Sequence, residues 1–419
     1  MSFSSETLDL IEQGKIKEAK KKFDWALRKD DDDLLYSLAE ELYSYGLTSW
    51  SKRTYEKLLK KYPDEDELRT SLAEIAIGEG NDDQALAYLA AVKPDSPAYL
   101  QALMVAADLY QTQGMLDVSE NKLLEAEQLA PDEDVIKFAL AELYFNSKEY
   151  RKAIPYYLDL IKKGITDISQ VNLVQRLGVS YAGAGKFEQA LGYLEQVHEK
   201  DLVGDTLFQL AFTQLQLNRV DDAEKNFKKL IQQDSSYATA YPYLAQIQED
   251  KGQLPEALRT YQQGIAEDEF STVLYRKAAD VALKLNKTDL AEQYLRTALE
   301  QDPQNITLVV QLSNLMLELK QYDESLKLLN KYLKDDETDP QLYWNLGRTY
   351  AALDNAEKAK EYYDLAYSYL NGQAEFLRDA AYFYRNNGQH ELALECCNKF
   401  LEQHPNDEEM VQLHDELDY

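Results

Sequence analysis

Glu40, Glu74, Asp108 and Glu142 follow one another at intervals of 34 residues in a chain of 419. Carboxylates repeated along one surface would select the lysine or arginine side chains of another molecule. Tyr36, Tyr43, Ile77, Met104, Phe138 and Phe145 lie three or four residues from these acids, a spacing that puts them on the same helical faces and adds apolar anchoring area. Other starting points for chemistry are weaker. YAGAGKF at 181–187 invites comparison with a phosphate-binding loop, but Ser180 stands at the first glycine position and Phe187 at the hydroxyl position. Gly185 therefore reads as an ordinary turn. His198, His390, His404 and His414 have no partner at metal-ligand spacing, and Cys396 and Cys397 are adjacent with no second pair. The two thiols read as small buried apolar residues. Serine nucleophile elbows and dinucleotide glycine loops are absent from the sequence. The expectation is no catalytic residue, no metal and no cofactor.

The charge balance narrows the partners. The net charge is -30, from 75 acidic and 45 basic residues. Such a field repels a phosphate backbone and an anionic lipid surface and attracts basic protein segments. The expected partner is thus a protein or peptide with basic and apolar side chains, with no nucleic acid and no direct membrane insertion. The opening MSFSSETLDLIEQGKIKEAKK has no apolar run behind a basic start, which points to the cytoplasm.

The acids can share a surface only if regular elements hold them there. Small residues recur at Ala19, Ser51, Ala85, Ser119, Ala153, Ala190, Ala223, Ala257, Ala291, Ser325, Ala359 and Ala393. Eight of the eleven steps are 34 residues and the others 32, 37 and 33. A fixed period of this length marks stacked structural repeats, each able to bury its apolar face only against its neighbours. Two helices fit in each period. In LYWNLGRTYAAL the residues Leu342, Leu346 and Tyr350 share a face, as do Ala359, Tyr363 and Ala366 in AEKAKEYYDLAYSYL. Glycine often marks the turn between them, as at Gly46, Gly80, Gly114, Gly185, Gly252 and Gly388. The small residues let paired helices approach, and bulky ones four positions on, such as Tyr55, Tyr157, Phe227 and Tyr363, fill the space beside them.

Leu346-Gly347-x2-Tyr350 followed by Ala359-x3-Tyr363, and Leu177-Gly178-x2-Tyr181 with Ala190, resemble the tetratricopeptide repeat (TPR) signature. The resemblance recurs in register over essentially the whole chain, although most units lack the first-helix tryptophan and the first unit is weak. Residues 67–131, with SLAEIAIGEGNDDQALAYL and SPAYLQALMVAADLYQTQG, also resemble the YpiA-like TPR proteins of Gram-positive bacteria, a likeness that implies no settled activity. The implied fold is all-α, a right-handed superhelical solenoid of about twelve stacked helix-turn-helix repeats with a C-terminal capping helix. Three extra residues at 162–172 suggest a division into an N-terminal array over 1–165, a C-terminal array over 166–406 and a cap over 407–419. In the cap, Met410, Leu413 and Leu417 should face back onto the stack.

In TPR-like geometry the first helices line an inner groove. The acids and their neighbours would form its N-terminal wall. Val179, Phe208, Phe212 and Leu215 would follow as an apolar section, and Arg276, Trp344, Arg348, Arg378 and Arg385 as a basic one. TPR proteins that capture acidic chaperone tails resemble one another in a Lys/Asn, Asn, Lys/Arg pattern over three repeats. Here the matching positions hold Tyr36/Glu40, Thr70/Glu74, Met104/Asp108 and Phe138/Glu142, which argues against that mode. The expected function is a non-enzymatic scaffold or adaptor holding a partner segment in the groove. The alternative is a regulator whose superhelix closes on a signalling peptide, although no basic recognition helix accompanies the repeats.

Overall fold

A computed structural model describes residues 2–333 and 339–418, and in it the sequence period becomes an all-α repeat solenoid. The described residues form twenty-five α-helices, twelve pairs and a final single helix. Repeat two shows how local sequence builds a pair. Its first helix, Asp32–Ser44, starts where the Asp31 carboxylate accepts from the Leu34 amide, with Asp32 and Asp33 favourably placed in the first turn. The helix stops at Gly46, whose φ of +74° lets the Leu47 amide turn back to the Leu42 carbonyl at 2.8 Å. The second helix, Thr48–Lys61, then runs back along the first. Five repeats have no glycine at this turn and hold Lys148, Asn218, Asn286, Lys320 or Asp354 at φ between 56° and 61°. The left-handed turn is therefore imposed by the helix pair even where the residue resists it.

All twelve periodic small residues are 0% exposed. Tyr55, Tyr157, Phe227 and Tyr363 are buried beside them. Each repeat thus locks together by close approach at one point and bulk at the next.

Two compact units divide the chain, Met1–Arg219 and Val220–Tyr419, and the boundary falls between the helices of repeat seven, Gly204–Gln216 and Val220–Gln233. Within the first unit the first helices of adjacent repeats touch: Phe3–Glu12 meets Asp32–Ser44, Asp66–Gly78 meets Tyr99–Thr112, and Leu173–Gly183 meets Gly204–Gln216. In the second unit Ile306–Glu318 meets Pro340–Ala352 in the same way. Where these pairs meet, the first helices form a continuous wall. Behind it lie leucine-rich cores, with Leu35, Leu38, Leu42 and Leu72 in the first and Leu308, Leu312, Leu342 and Leu346 in the second. Burying each such side chain contributes about 1.5–3 kcal/mol.

The slip at 162–172 has a defined shape. Asp167–Ile168 and Val171–Asn172 pair antiparallel across Ser169 and Gln170, whose φ values of 48° and 68° are both positive, as a tight two-residue hairpin requires. Ile168 and Val171 pack against the adjoining core. At the other end, Glu408–Leu417 begins where Asp407 accepts from the Met410 amide. Met410 and Leu413 are buried and Leu417 packs against the last repeats, as a cap requires; Tyr419 lies outside the described residues. Cys396 and Cys397 are both free and fully buried, and burial pushes their thiols up to about 12 and about 11. At neutral pH neither is a nucleophile.

Candidate functional site

Repeats two to four carry the candidate surface. Tyr36, Glu40, Tyr43 and Glu74 line one cleft of about 490 Å³, together with Tyr55, Glu67, Ser71 and Gln101. Asp32–Ser44 supplies the first three, and Asp66–Gly78 supplies Glu67, Ser71 and Glu74. Glu40 and Glu67 make no ion pair among the described residues, and no lysine or arginine lines the cleft. Glu74 accepts from the Gln101 side-chain amide at 3.1 Å. Tyr36 and Tyr55 meet edge to face with centroids 6.0 Å apart. Burial, followed by the nearby Glu40, Glu67 and Glu65 charges, raises the Tyr36 phenol above its ordinary value. A second cleft of about 480 Å³ adjoins the first through Tyr36 and Glu67 and is lined further by Asp32, Asp33, Glu65 and Tyr62. Of these acids Asp32 is neutralised, by Lys61. The surface is therefore phenol-walled and negative.

The other two members of the ladder have different surroundings. Asp108, on Tyr99–Thr112, is exposed and makes no ion pair among the described residues. Glu142, on Asp134–Asn146, is tied inward: it accepts from the Tyr157 hydroxyl and from Arg176 Nη2 at 3.1 Å. Arg176 also covers the Phe145 ring at 4.3 Å. Ile77, Met104 and Phe138 are half-buried.

In the apolar section Val179 and Phe208 are buried, Phe212 and Leu215 are half-buried, and Phe208 stacks on Phe212 at 6.2 Å. Among the C-terminal cations, Arg378 pairs with Asp407 and Arg385 reaches Glu416 at 3.4 Å, so both tie the last repeat to the cap. Arg348 lies 5.7 Å from the Trp344 ring and donates to Asn314 at 3.3 Å. The buried Trp344 donates its indole N–H to Asp379 at 2.6 Å, beside the Tyr363 hydroxyl on the same carboxylate. Arg276 lines a shallow cleft of about 340 Å³ with Thr272, Val273 and Asn305. Tyr144, Tyr181, Tyr350 and Tyr384 are buried in the core, while Tyr110 is half-buried.

Two kinds of residue escaped the sequence reading. Glu67 stands seven residues before Glu74, two helical turns away on the same face, so its place in the cleft was legible from spacing alone. Asp280 occupies the ladder position in repeat nine, hidden because the intervening repeats hold Val179, Phe212 and Gln246 there. It is half-buried, and desolvation outweighs Arg276 and Lys277 to raise its carboxyl above the ordinary value. No group of three or more metal-ligating side chains occurs among the described residues. No helix of those residues is long and apolar enough to cross a membrane.

Comparison with known proteins agrees with this architecture. The profile of YpiA-like tetratricopeptide repeats matches residues 111–165, and that of YpiA-like C-terminal tetratricopeptide repeats matches 340–407. General tetratricopeptide profiles match 208–272 and 282–348. The TPR repeat-containing protein YpiA of Bacillus subtilis is 32% identical over 97% of this chain and 96% of its own length. Tetratricopeptide repeat protein 21A of Mus musculus is 24% identical over 76% of this chain but only 24% of its own. Among solved structures, the APC/C hetero-tetramer Cut9–Hcn1 is similar over 98% of this chain and 95% of the matched one, with 13% identity and a TM-score of 0.40. Proteins built from these repeats generally mediate protein–protein interactions, and the fold is typically non-enzymatic. With the period, the helix pairs and near full-length identity in agreement, the chain belongs to the YpiA-like family of tetratricopeptide repeat proteins.

Proposed function

We propose that this protein is a non-catalytic cytoplasmic scaffold that docks a basic, partly apolar segment of another protein on the first-helix wall of repeats two to four. One observation carries the reading: Glu40, Glu67 and Glu74 share a tyrosine-lined cleft to which no lysine or arginine among the described residues contributes. Unpaired carboxylates lose solvation on contact with a partner and recover it only from a cationic group, so they select for charge as well as shape. Half-buried Ile77, Met104 and Phe138 extend the wall with apolar area. Exposed Asp108 continues its charge. Avidity over several repeats then gives useful affinity without any single deep pocket.

The test is affinity capture from the native cell with wild type and with the variant Glu74→Lys, Asp108→Lys. The reversal should abolish capture of partners held at low salt while leaving helicity and melting unchanged. Equal recovery by both proteins overturns the proposal.

A further inference from the structure

Repeat two departs from its counterparts in one detail inside the cleft. In repeats five, eight and eleven the buried tyrosine of the second helix donates its hydroxyl to a carboxylate: Tyr157 to Glu142, Tyr261 to Glu249 at 2.7 Å, and Tyr363 to Asp379 at 2.6 Å. Tyr55 holds that place in repeat two, is 3% exposed and lines the cleft, yet no carboxylate among the described residues receives its hydroxyl. Ser71 is the hydrogen-bonding neighbour that tempers the rise burial imposes on this phenol. The Ser71 hydroxyl also lies 3.1 Å from the Glu67 carbonyl. A buried phenol and three carboxylates thus line one cleft, and no hydrogen bond joins the phenol to any of the three.

Deepening the docking proposal, on which it rests, we infer that this cleft is a receptor for an arginine side chain of the partner protein. A guanidinium brings five N–H donors in one plane. The cleft is lined by the Glu40, Glu67 and Glu74 carboxylates and the Tyr55 oxygen, more acceptor groups than the three donors of a compact ammonium can serve. The edge-to-face Tyr36 and Tyr55 rings supply a phenol wall against which a guanidinium plane stacks. Gln101 already occupies one lone pair of Glu74 and so fixes that carboxylate in place.

The full chain is titrated at 150 mM salt (on the order of an 8 Å screening length) with fluorescein-labelled hexa-arginine, hexalysine and hexacitrulline. Hexa-arginine should bind about tenfold tighter than hexalysine, and hexacitrulline should not bind, because one charge-assisted hydrogen bond is worth roughly that factor. Tyr55→Phe, which keeps the ring and copies the Phe227 of repeat seven, should cut the arginine advantage to about threefold or less, as should the surface change Glu74→Gln. Equal affinity for the arginine and lysine peptides, or an advantage that survives both substitutions, overturns the inference. The variant Glu40→Lys, Glu74→Lys separates the two levels. If it abolishes equal binding of both peptides, the acidic wall stands and only the arginine preference is wrong. If it changes nothing, the wall itself is refuted.

Discussion

Glu142 and Glu40 hold the same position in repeats five and two, yet substitution should destabilise the first and leave the second nearly unchanged. Glu142→Ala removes the acceptor of the Tyr157 hydroxyl, and Tyr157 is 0% exposed. A buried donor left without an acceptor costs about 1–3 kcal/mol. The Arg176 pair adds only a few tenths, because both side chains are partly solvated. The expected loss is about 2 kcal/mol, confined to repeats five and six since each repeat couples mainly to its neighbours. Glu40→Ala deletes an exposed carboxylate with no ion pair among the described residues and should stay within about 0.5 kcal/mol. Because repeat arrays depart from two-state unfolding, the assay is native-state hydrogen exchange read by peptide. Protection over Asp134–Asn146 and Tyr150–Lys162 should fall about thirtyfold in Glu142→Ala, by the arithmetic of ~1.4 kcal/mol per tenfold. Adding Tyr157→Phe should restore part of it, as removal of both partners does. Unchanged protection in Glu142→Ala, or an equal local loss in Glu40→Ala, would refute the distinction between an inward-tied and an outward-facing acid.

Three further outcomes are expected. Lys320→Gly should stabilise the protein by about 0.5–1 kcal/mol, because a lysine held at φ 60° carries a steric cost that glycine avoids; thermal melting of the variant checks it. Gly347→Ala should destabilise by about 1–2 kcal/mol despite better helix propensity. A β-carbon there would sit 2.8 Å from the Tyr363 ring, which cannot retreat from Phe383 stacked at 3.9 Å, so denaturant unfolding should show the loss. Glu120 is held below its ordinary value of 4.5 first by the Tyr144 hydroxyl and then by Lys152. Its folded value being depressed, it stabilises above pH 4.5 and that contribution disappears as pH falls through the depressed value. Glu120→Gln should therefore flatten the acid limb of a stability profile.

The repeat architecture was legible because close helix approach tolerates only small side chains, and a periodic small residue is visible in one dimension. Ser51, Ser119 and Ser325 did the same work as the alanines, each fully buried. Turn glycines were readable for the same steric reason, but Lys148 and Lys320 adopt the identical backbone with no local signal, since the helices on either side force it. The hairpin was hidden for a related cause. Ser169-Gln170 is not a sequence that favours two positive φ values, and the pairing rests on Ile168 and Val171 reaching the core. Periodicity placed the four acids at one position but could not tell their fates apart. Glu142 differs from Glu40 in the bonds it accepts from Tyr157 and Arg176, and the equivalent Tyr55 in repeat two shows that the register alone does not reveal which tyrosine pairs. The terminal arginines illustrate the same gap, because Asp407 and Glu416 belong to the cap and the repeat pattern does not include them.

Site-directed photo-crosslinking in the native cell tests the docking surface most directly. A benzophenone amino acid would replace Tyr43 or Asp108 on the first-helix wall, or Lys60 or Asn121, which are exposed on the second helices of repeats two and four. The account predicts adducts to a common partner from the first two positions, centred on a basic segment and lost with Glu74→Lys, and none from the other two. Adducts of equal yield from Lys60 and Asn121, or from those positions alone, contradict it.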